Sequence, residues 1–570
     1  MSSEWARRLK AQWAASIRLD TLLVFAAFHI PLTLIFAAVL LKSMSWETAV
    51  DSPMFMYTGF LMDHFGMAPM RDYFTYNMPG THVIFRWLYH FYGGSILGMR
   101  LADTTVLAAI LILYARILKP FGLRVAWAGT VLFGLLHITL RLNCYLQRDF
   151  LALVPLQLAI LCASAWFEGR PRTRWFATGL FVGVLSTIKP HLMFGGIVLY
   201  GYLVLQSGAA QPLTKREWAS RSLRVACWCA AGGSIPVLWM AGYLAYYGQL
   251  GAFVKVLIDY FPMHAEVSDK HRVFNPGEKL GYTIGHFFGE VAWNFHYPMA
   301  LAAGAGLALI AAAPTVPRHL RRYGGFLVCM AVAYLVYPCL AGRFYDHHYY
   351  AFYLLSTVWV AFCMYGWAAG TPARVRLFAL AAATYAIAGT YYADYSEVMR
   401  SPGGDSPYYR TARIAQWLRP RLAPGDTVQG IEWAFCGIAH AFLEVKAKPA
   451  THTIWGEVLY HHVSTPFVQG LRKDFMDQMR AARPRFVVCS MDESDFVQGT
   501  DTTMTFPEFE AYLGENYFPA LDTRDFRIWE INTSPTAAAD RDRYEPYEET
   551  ELEGFRRPGR LGQPLWAGHE

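Results

Sequence analysis

Residues 51–80, around which the rest of the chain is organised, read DSPMFMYTGFLMDHFGMAPMRDYFTYNMPG. It follows the first long apolar segment of the chain, Thr21–Leu41. Carboxylates recur along the stretch, and an ionised carboxylate beside hydrocarbon is costly, so its presence there indicates a function. Aromatic residues lie between the carboxylates, as is typical of a segment at the level of lipid headgroups. We therefore interpret residues 51–80 as part of an outer loop that carries chemistry.

The composition predicts a membrane protein. The chain has 570 residues, of which 54% are hydrophobic and 16% are charged. Soluble proteins are normally about 25% charged. Roughly ten or more apolar runs approach the ~20 residues that cross a bilayer as a helix. The net charge of +7 does not indicate nucleic-acid binding, because the basic residues lie in short loops where they set the topology.

Basic clusters recur in alternate loops, and this alternation predicts the topology. Arg7, Arg8 and Lys10 precede the first span and place the N-terminus in the cytoplasm. The pattern gives about eleven spans with the C-terminus outside. We predict a mainly α-helical, polytopic transmembrane domain at 1–395, with an outer catalytic loop at 43–95. No cleavable signal peptide is expected, because the first apolar run is long and no small-x-small site follows it.

Two short helices are expected to lie on the membrane within the outer loop, at Pro53–Phe65 and Gly80–Phe91. After about residue 396 the composition changes, and no run is long enough to span a membrane. Strands and an amphipathic helix are predicted there, in the order Thr427–Ile431, Phe467–Ala482, Arg485–Ser490 and Phe526–Ile531. We predict a small extracytoplasmic α/β domain at 396–533. The tail 534–570 is rich in charged residues, proline and glycine, and is expected to be disordered.

The stretch 51–80 resembles the first outer loop of membrane glycosyltransferases with the type-C fold. This superfamily includes protein O-mannosyltransferases and bacterial aminoarabinose transferases. The residues that match its pattern are Asp51, Tyr57, Gly66, Pro69, Arg71, Asp72 and Pro79, and Met70 stands where relatives often have tyrosine. The resemblance implies that Asp51 is the catalytic base. The alternative is that Asp51 caps the helix that follows it.

The other matching residues have roles that the sequence leaves open. Asp72 is a second catalytic candidate, and its alternative is a structural partner of the neighbouring Arg71. Tyr57 and Arg71 are candidates for the lining of the substrate cavity. The sequence alone does not choose between these alternatives.

Basic residues elsewhere are candidates for holding a phosphate leaving group, which is already anionic and needs cations but no acid. Lys189 lies between two apolar runs, where a buried lysine must find an anion or lose its charge. Its alternative is to snorkel to the interface. Arg148 opens the fourth predicted span from the outside, beside Asp149. His191 is a further candidate for the substrate cavity.

A second stretch, Gly342–Tyr349, reads GRFYDHHY and resembles a late G-R-[FY]-x-x-H-Y motif of the bacterial transferases. Arg343 is predicted to grip a phosphate in bidentate fashion. His348 fits the motif better than His347 and is a second phosphate ligand, while Tyr345 is a cavity candidate. This stretch also offers a weak candidate metal site at Asp346, His347 and His348, since adjacent residues rarely bind one ion together.

These expectations describe a glycosyltransferase, hexosyl or pentosyl, of the bacterial cytoplasmic membrane. It would move a sugar from a polyprenyl-phosphate donor to a lipid, glycan or protein acceptor at the outer face. The resemblance implies inversion at the anomeric carbon. No cofactor is expected, and a divalent metal is left open. The expected partners are the lipid-linked donor, membrane lipids and the acceptor, with no nucleic acid.

Two other functions stay open at this point. One is a transporter or flippase of lipid-linked glycans, with the charged residues lining its path. The other is a catalytically inactive membrane scaffold that keeps the transferase fold. Geometry separates them from an enzyme, which should place Asp51, Lys189 and Arg343 in one outward cavity.

Overall fold

The structure is a computed structural model that is mainly helical. The residues it describes are 25–46, 51–140, 145–164, 169–206, 214–266, 277–278, 281–282, 285, 297–312, 316–341, 345–367, 370–388, 407–432, 437–491 and 501–544. The predicted phosphate ligand Arg343 lies outside these residues, as do the basic residues of the N-terminus and residues 545–570 of the tail.

The N-terminal part of the described chain consists of helices. Their bounds in chain order are α1 Ile30–Ser43, α2 Asp51–Phe65, α3 Pro79–Tyr92, α4 Ile96–Leu118, α5 Leu123–Thr139, α6 Arg148–Ser164, α7 Pro171–Ile188, α8 Gly195–Gln206, α9 Lys215–Tyr246, α10 Leu250–Lys255, α11 Phe261–Glu266, α12 Tyr297–Ala312, α13 Arg318–Ala341, α14 Tyr350–Tyr365 and α15 Ala373–Ile387. Short 3₁₀ turns at Pro190–Phe194 and Asp346–Tyr349 join α7 to α8 and lead into α14.

Within the described residues, 3 helices are long and apolar enough to cross a membrane: Ala26–Ser43, Ile96–Phe121 and Lys215–Tyr246. Shorter apolar helices lie at Leu123–Thr139, Pro190–Gln206 and Tyr297–Ala312. The three longer helices fit insertion into a membrane, because their lengths and composition match a hydrocarbon layer. The number of about eleven spans stays a prediction.

Small residues decide how closely the helices approach. A Cβ on Gly179 of α7 would lie 2.0 Å from the carbonyl oxygen of Cys229 in α9, and a Cβ on Gly232 would lie 2.0 Å from the carbonyl oxygen of Phe176. No real side chain fits at such distances, so glycine at these positions brings the two backbones into direct contact. Close approach through small residues is a usual way for apolar helices to pack in lipid.

The outer-loop helix α2 differs from its expected amphipathic form. It ends at Phe65 as expected but begins at Asp51, two residues before the expected start, and every residue from Asp51 to Met62 is buried. The helix therefore runs through the protein and does not lie on the membrane. The second outer-loop helix, α3, does have an exposed apolar face, which includes Trp87 and Phe91.

The C-terminal part contains a sheet of five strands in the order β2-β1-β3-β5-β4. Their bounds are β1 Thr427–Ile431, β2 Lys448–Pro449, β3 Phe486–Ser490, β4 Tyr517–Asp522 and β5 Phe526–Ile531. The strand β1 pairs in parallel with β2 and β3, and β5 pairs antiparallel with β3 and β4. The three predicted strands are confirmed, whereas β2 and β4 had not been predicted.

Helices surround this sheet, with bounds α16 Pro407–Leu418, α17 Ile438–Glu444, α18 Pro466–Ala482, α19 Pro507–Asn516 and α20 Ala537–Asp542. The predicted amphipathic helix is confirmed as α18. The helix α20 lies at the start of the tail 534–570, where Asp540 accepts from Arg421 at 2.9 Å. The division into domains at 396 and 534 stays a prediction.

The outer loop and the sheet region share one hydrophobic core. Phe55 and Phe60 of α2 belong to the same buried cluster as Phe442 and Trp455 of the C-terminal part. Hydrogen bonds cross the same boundary, since the Tyr57 hydroxyl donates to the carbonyl oxygen of Ala447 at 3.0 Å. The α/β region therefore packs directly on the loop that the sequence singled out.

Candidate functional site

The candidate site begins at Asp51, the first residue of α2, which is 8% exposed. The side chain of Gln147 hydrogen-bonds to its carboxylate. The next residue, Ser52, donates from its hydroxyl to the carbonyl oxygen of Tyr145. These contacts hold the start of α2 against the turn that precedes α6.

The electrostatic surroundings of Asp51 balance burial against positive charge. Burial raises the pKa of its carboxyl group above the ordinary value, while the positive charges of Arg148 and Lys189 act in the opposite direction. Both cations are therefore close enough to act on Asp51, although they come from different helices. A carboxylate with a raised pKa is a better proton acceptor than one in water.

Lys189 ends α7 in an extended conformation, with φ −148° and ψ 96°. Its ammonium group is buried and forms an ion pair with Oδ2 of Asp149. The Tyr337 hydroxyl donates to the other oxygen, Oδ1, at 3.2 Å. The sequence predicted that Lys189 needs an anion, and within the protein that anion is Asp149.

The outer loop packs directly on the end of α7. A Cβ on Gly80 would lie 2.5 Å from the carbonyl oxygen of Thr187, so only glycine allows this approach. The adjacent Thr81 hydroxyl donates to the carbonyl oxygen of Ile188 at 3.1 Å. The Pro-Gly pair that ends the stretch 51–80 thereby brings the loop next to Lys189.

Arg148 differs from Lys189 in its partners. Its Nη1 donates to Oδ1 of Asn77, and its Cζ lies 5.1 Å from the centre of the Phe55 ring. Its Nε is buried and has no hydrogen-bond partner among the residues that the structure describes. Over those residues, no carboxylate forms an ion pair with Arg148. Its guanidinium group therefore keeps capacity for an anionic ligand.

Residues 345–349, which we call the histidine segment, lie beside Asp149. Ligand atoms of Asp149, His347 and His348 all lie within 4.8 Å of one another, which is a metal-like arrangement that the sequence had not predicted. Lys189 and Tyr337 already occupy both oxygens of the Asp149 carboxylate. A metal ion would have to displace the lysine or bind beside its charge.

The remaining predicted residues have different positions. Tyr345 stacks on His347 with ring centroids 5.4 Å apart and so lies beside the histidine segment. His191 is exposed two residues beyond Lys189. Tyr57 is fully buried and points toward the sheet region, as its bond to Ala447 requires.

Asp72 and Arg71 pair with each other. Nη2 of Arg71 lies 2.5 Å from Oδ2 of Asp72, and the two side chains are 41% and 29% exposed. Oδ2 also accepts from the backbone N–H of Ala68 at 2.7 Å, which closes the loop. This geometry favours the structural alternative for Asp72, and we leave it and Arg71 out of the site.

The sequence did not single out several residues that the structure brings to the site. Arg148 donates to Asn77, and Gln147 hydrogen-bonds to Asp51. Tyr337 donates to Asp149. Gln147 had a signal, since it stands directly before the predicted Arg148. Tyr337 had no signal in the sequence. It lies within the apolar helix α13, and only the packing of that helix decides which of its faces turns toward the site.

A further carboxyl group approaches from the sheet region. Oε1 of Glu457 accepts from the Tyr76 hydroxyl at 3.0 Å. Burial raises the pKa of Glu457 to about 8, and the negative charges of Glu432 and Asp51 act in the same direction. Glu457 is therefore mostly protonated at neutral pH. Because the charge of Asp51 acts on the pKa of Glu457, Glu457 lies near the candidate site.

No protein-family model matches the sequence, and no curated protein matches it. The structure, however, is similar to ArnT, an aminoarabinose transferase, from Cupriavidus metallidurans bound to undecaprenyl phosphate. The TM-score is 0.55 at 12% identity, over 88% of this chain and 98% of that chain. The chain has the type-C glycosyltransferase fold. The resemblance of residues 51–80 is thus confirmed for the fold.

Two further solved structures have lower scores. ArnT from Cupriavidus metallidurans in the apo state has a TM-score of 0.42 at 12% identity, over 88% of this chain and 98% of that chain. The archaeal oligosaccharyltransferase AglB from Archaeoglobus fulgidus, in complex with an inhibitory peptide and a dolichol-phosphate, has a TM-score of 0.41 at 12% identity. It covers 82% of this chain and 70% of that chain.

Proposed function

We propose that the chain is an inverting glycosyltransferase that moves a sugar from a polyprenyl-phosphate donor to a hydroxyl-bearing acceptor. The observation that carries the proposal is the convergence of Asp51 with Arg148 and Lys189 in one buried place on a type-C fold. A base and two cations are the groups that such a transfer requires. The solved ArnT with the same fold binds undecaprenyl phosphate, which supports a lipid-linked donor.

The reaction divides its tasks between these residues. The acceptor hydroxyl oxygen attacks the anomeric carbon, and the bond from that carbon to the phosphate oxygen breaks. The polyprenyl phosphate leaves with the electron pair, and its added negative charge is stabilised by Arg148, Lys189 and His348. The hydroxyl proton passes to the Asp51 carboxylate. A single displacement of this kind inverts the anomeric carbon.

The place of the reaction follows from the predicted topology. The alternating basic loops put the start of α2 at the outer face of a bacterial cytoplasmic membrane. Three helices in the described part of the chain are long and apolar enough to span, which supports a membrane location, and the prenyl chain would stay in the hydrocarbon. The sugar and the class of acceptor, whether lipid, glycan or protein, are left open by the geometry.

The variant Asp51→Asn tests the proposal, because it keeps the shape and the capping ability of the side chain but removes its basicity. We expect transfer to fall by ~10²–10⁴-fold while donor binding and melting stay as in the wild type. The assay uses purified protein with a polyprenyl-phosphate sugar and the acceptor identified by mass spectrometry of glycans in a deletion strain. Asp51→Asn protein with wild-type transfer would overturn the catalytic assignment.

The same variant separates an enzyme from a transporter. A flippase that uses Asp51 only as a charge along its path forms no new glycosidic bond in either protein. An inactive scaffold gives no product in the wild type. A covalent product that is formed by the wild type and lost in Asp51→Asn is therefore expected only of the enzyme.

A further inference from the structure

Three ionisable side chains are buried together where α4 begins and α5 ends. Arg100 and Asp103 are each 1% exposed, and His137 is 0% exposed. They lie in or beside helices apolar enough for a membrane, where charged groups are costly unless they are paired. Neither the sequence motifs nor the proposed reaction uses them. We name Arg100, Asp103 and His137 the ionic hub.

Asp103 is the centre of the hub. Its Oδ2 accepts from Nε2 of His137 at 3.0 Å and from Nη1 of Arg100 at 3.5 Å. Its Oδ1 accepts from the backbone N–H of Leu146 at 3.0 Å. Leu146 has φ +49°, a left-handed conformation that is uncommon outside glycine, asparagine and aspartate. The carboxylate thus holds a strained turn in place.

His137 links this turn to the histidine segment. A carboxylate only accepts hydrogen bonds, so Nε2 of His137 carries the proton of its bond to Asp103, and Nδ1 forms a hydrogen bond with the Tyr350 hydroxyl at 2.9 Å. The imidazole also stacks on Phe150, with ring centroids 4.1 Å apart and an interplanar angle of 11°. Tyr350 directly follows His348 and Tyr349, and Phe150 directly follows Asp149.

Arg100 extends the hub to the start of α2. Its guanidinium carbon lies 3.7 Å from the centre of the Tyr145 ring, and its Nε donates to the carbonyl oxygen of Ser43 at 2.9 Å. The Tyr145 carbonyl oxygen accepts from Ser52, the residue after Asp51. The partners of the hub therefore lie next to each part of the candidate site: the start of α2, the start of α6 and the histidine segment.

We propose that Asp103 and His137 are positioning residues, which set the places of Asp51, Asp149 and His348 through the turn 145–147 and Tyr350. Neither residue contacts the reacting atoms. An apolar pair of the same size would fill the space but could not hold the Leu146 amide and the Tyr350 hydroxyl together. Only the catalytic part of this inference rests on the proposed function.

The experiment compares Asp103→Asn and Tyr350→Phe with a matched control, Tyr323→Phe. Tyr323 is also a buried tyrosine, and its hydroxyl donates to the carbonyl oxygen of Ile117 at 3.0 Å, away from the hub. The first measurement is backbone amide hydrogen exchange by mass spectrometry on the full chain in lipid nanodiscs. We expect residues 145–150 to exchange about tenfold faster in Asp103→Asn and residues 346–351 to do so in Tyr350→Phe. The control should change neither segment.

The second measurement separates positioning from general stability. For Asp103→Asn and Tyr350→Phe we expect kcat to fall about ten- to a hundred-fold with the acceptor KM unchanged, because the reacting groups move apart while the acceptor surface stays. Tyr323→Phe should keep wild-type kcat at a comparable melting temperature. A loss of kcat that simply follows melting temperature across all three variants would overturn the proposal.

The exchange measurement decides the inference independently of the proposed function. Wild-type exchange at 145–150 in Asp103→Asn and at 346–351 in Tyr350→Phe overturns the proposal, whatever the activity. If the wild type transfers no sugar and binds no polyprenyl phosphate, the proposed function fails, and faster exchange still supports the positioning role. If Asp103→Asn does not fold, Tyr350→Phe decides alone, since it removes one oxygen atom from a packed ring.

Discussion

Two contacts between a basic residue and an aspartate illustrate how differently the same chemistry can be used in this chain. Arg71 and Asp72 match a family motif and are adjacent in sequence, yet their pair is 41% and 29% exposed. Lys189 and Asp149 are far apart in sequence, and their pair is 9% and 2% exposed. Exposed pairs contribute about 0–1 kcal/mol, whereas breaking a buried pair costs several. Burial thus distinguishes the Arg71–Asp72 pair, which closes a loop, from the Lys189–Asp149 pair, which lies in the candidate site.

The buried pair should respond most strongly to the loss of one partner. Lys189→Met leaves the Asp149 carboxylate buried and uncompensated, and we expect the free energy of unfolding to fall by about 3–5 kcal/mol. Melting in detergent measures this effect. The control is Lys473→Met, which breaks the exposed pair of Lys473 with Asp477 at 2.7 Å and should leave the melting temperature close to that of the wild type.

A double variant sharpens this test. Lys189→Met combined with Asp149→Asn removes the stranded charge, so most of the lost stability should return. Equal melting of the single and the double variant would contradict the view that the two residues neutralise each other.

Arg148 should affect binding more than stability, because within the described residues it forms no ion pair that its loss would strand. Arg148→Gln removes the charge-assisted contact that we propose to the leaving phosphate, worth about 1.5–3 kcal/mol or roughly a ten- to hundred-fold loss of donor affinity. Binding of undecaprenyl phosphate measures it. Arg480→Gln, at an exposed pair with Glu508, is the matched control. Unaltered binding in Arg148→Gln would remove this residue from the phosphate site.

Glu457 predicts a pH dependence of stability at the boundary between the outer loop and the sheet region. Its pKa is raised from 4.5 to about 8, so between these values the folded protein keeps a proton that the unfolded chain releases. The free energy of unfolding contributed by this group therefore falls as the pH rises through that range. Glu457→Gln does not titrate, so its stability should gain roughly 3–4 kcal/mol relative to the wild type as the pH rises from about 5 to about 8.

Melting curves of both proteins across this pH range check the sign as well as the size. A difference between wild type and Glu457→Gln that stays constant with pH would show that Glu457 titrates normally. The comparison also tests how closely the sheet region packs on the loop, because the raised pKa depends on that burial.

The smallest effect is expected at the exposed pair. Asp72→Asn should lower stability by about 0–1 kcal/mol and leave transfer within about twofold of the wild type. The measurement is the transfer assay used for Asp51→Asn, on the same donor preparation. A hundredfold loss of transfer at normal melting would return Asp72 to the catalytic machinery and make the two pairs alike in function.

Much of the fold could be predicted because its signals are local. Apolar runs and low charge indicated a membrane protein, and short buried runs located the strands at 427–431 and 485–490. The strand β2 has only two residues, too few for any periodicity to show. The burial of α2 on all sides was not predicted. The sequence of a helix does not show that a distant part of the chain, here the α/β region, covers its outer face.

The site was predicted in part for the same reason. Asp51 and Lys189 stood out because a charged residue next to an apolar run is conspicuous in a sequence. The pairing of Lys189 with Asp149 could not be predicted, since it depends on how α6 and α7 pack. The role of Tyr337 had no local signal for the same reason.

From the sequence one could predict a membrane protein, single out the stretch 51–80, and name Arg148 and Lys189 as candidate phosphate ligands. The packing of distant segments set which carboxylates are buried, which of them a lysine neutralises, and that Arg100, Asp103 and His137 form one hub behind the site. Hydropathy and turn preferences act over a few residues. The energy of a charge depends instead on its burial and on neighbours that come from distant parts of the chain.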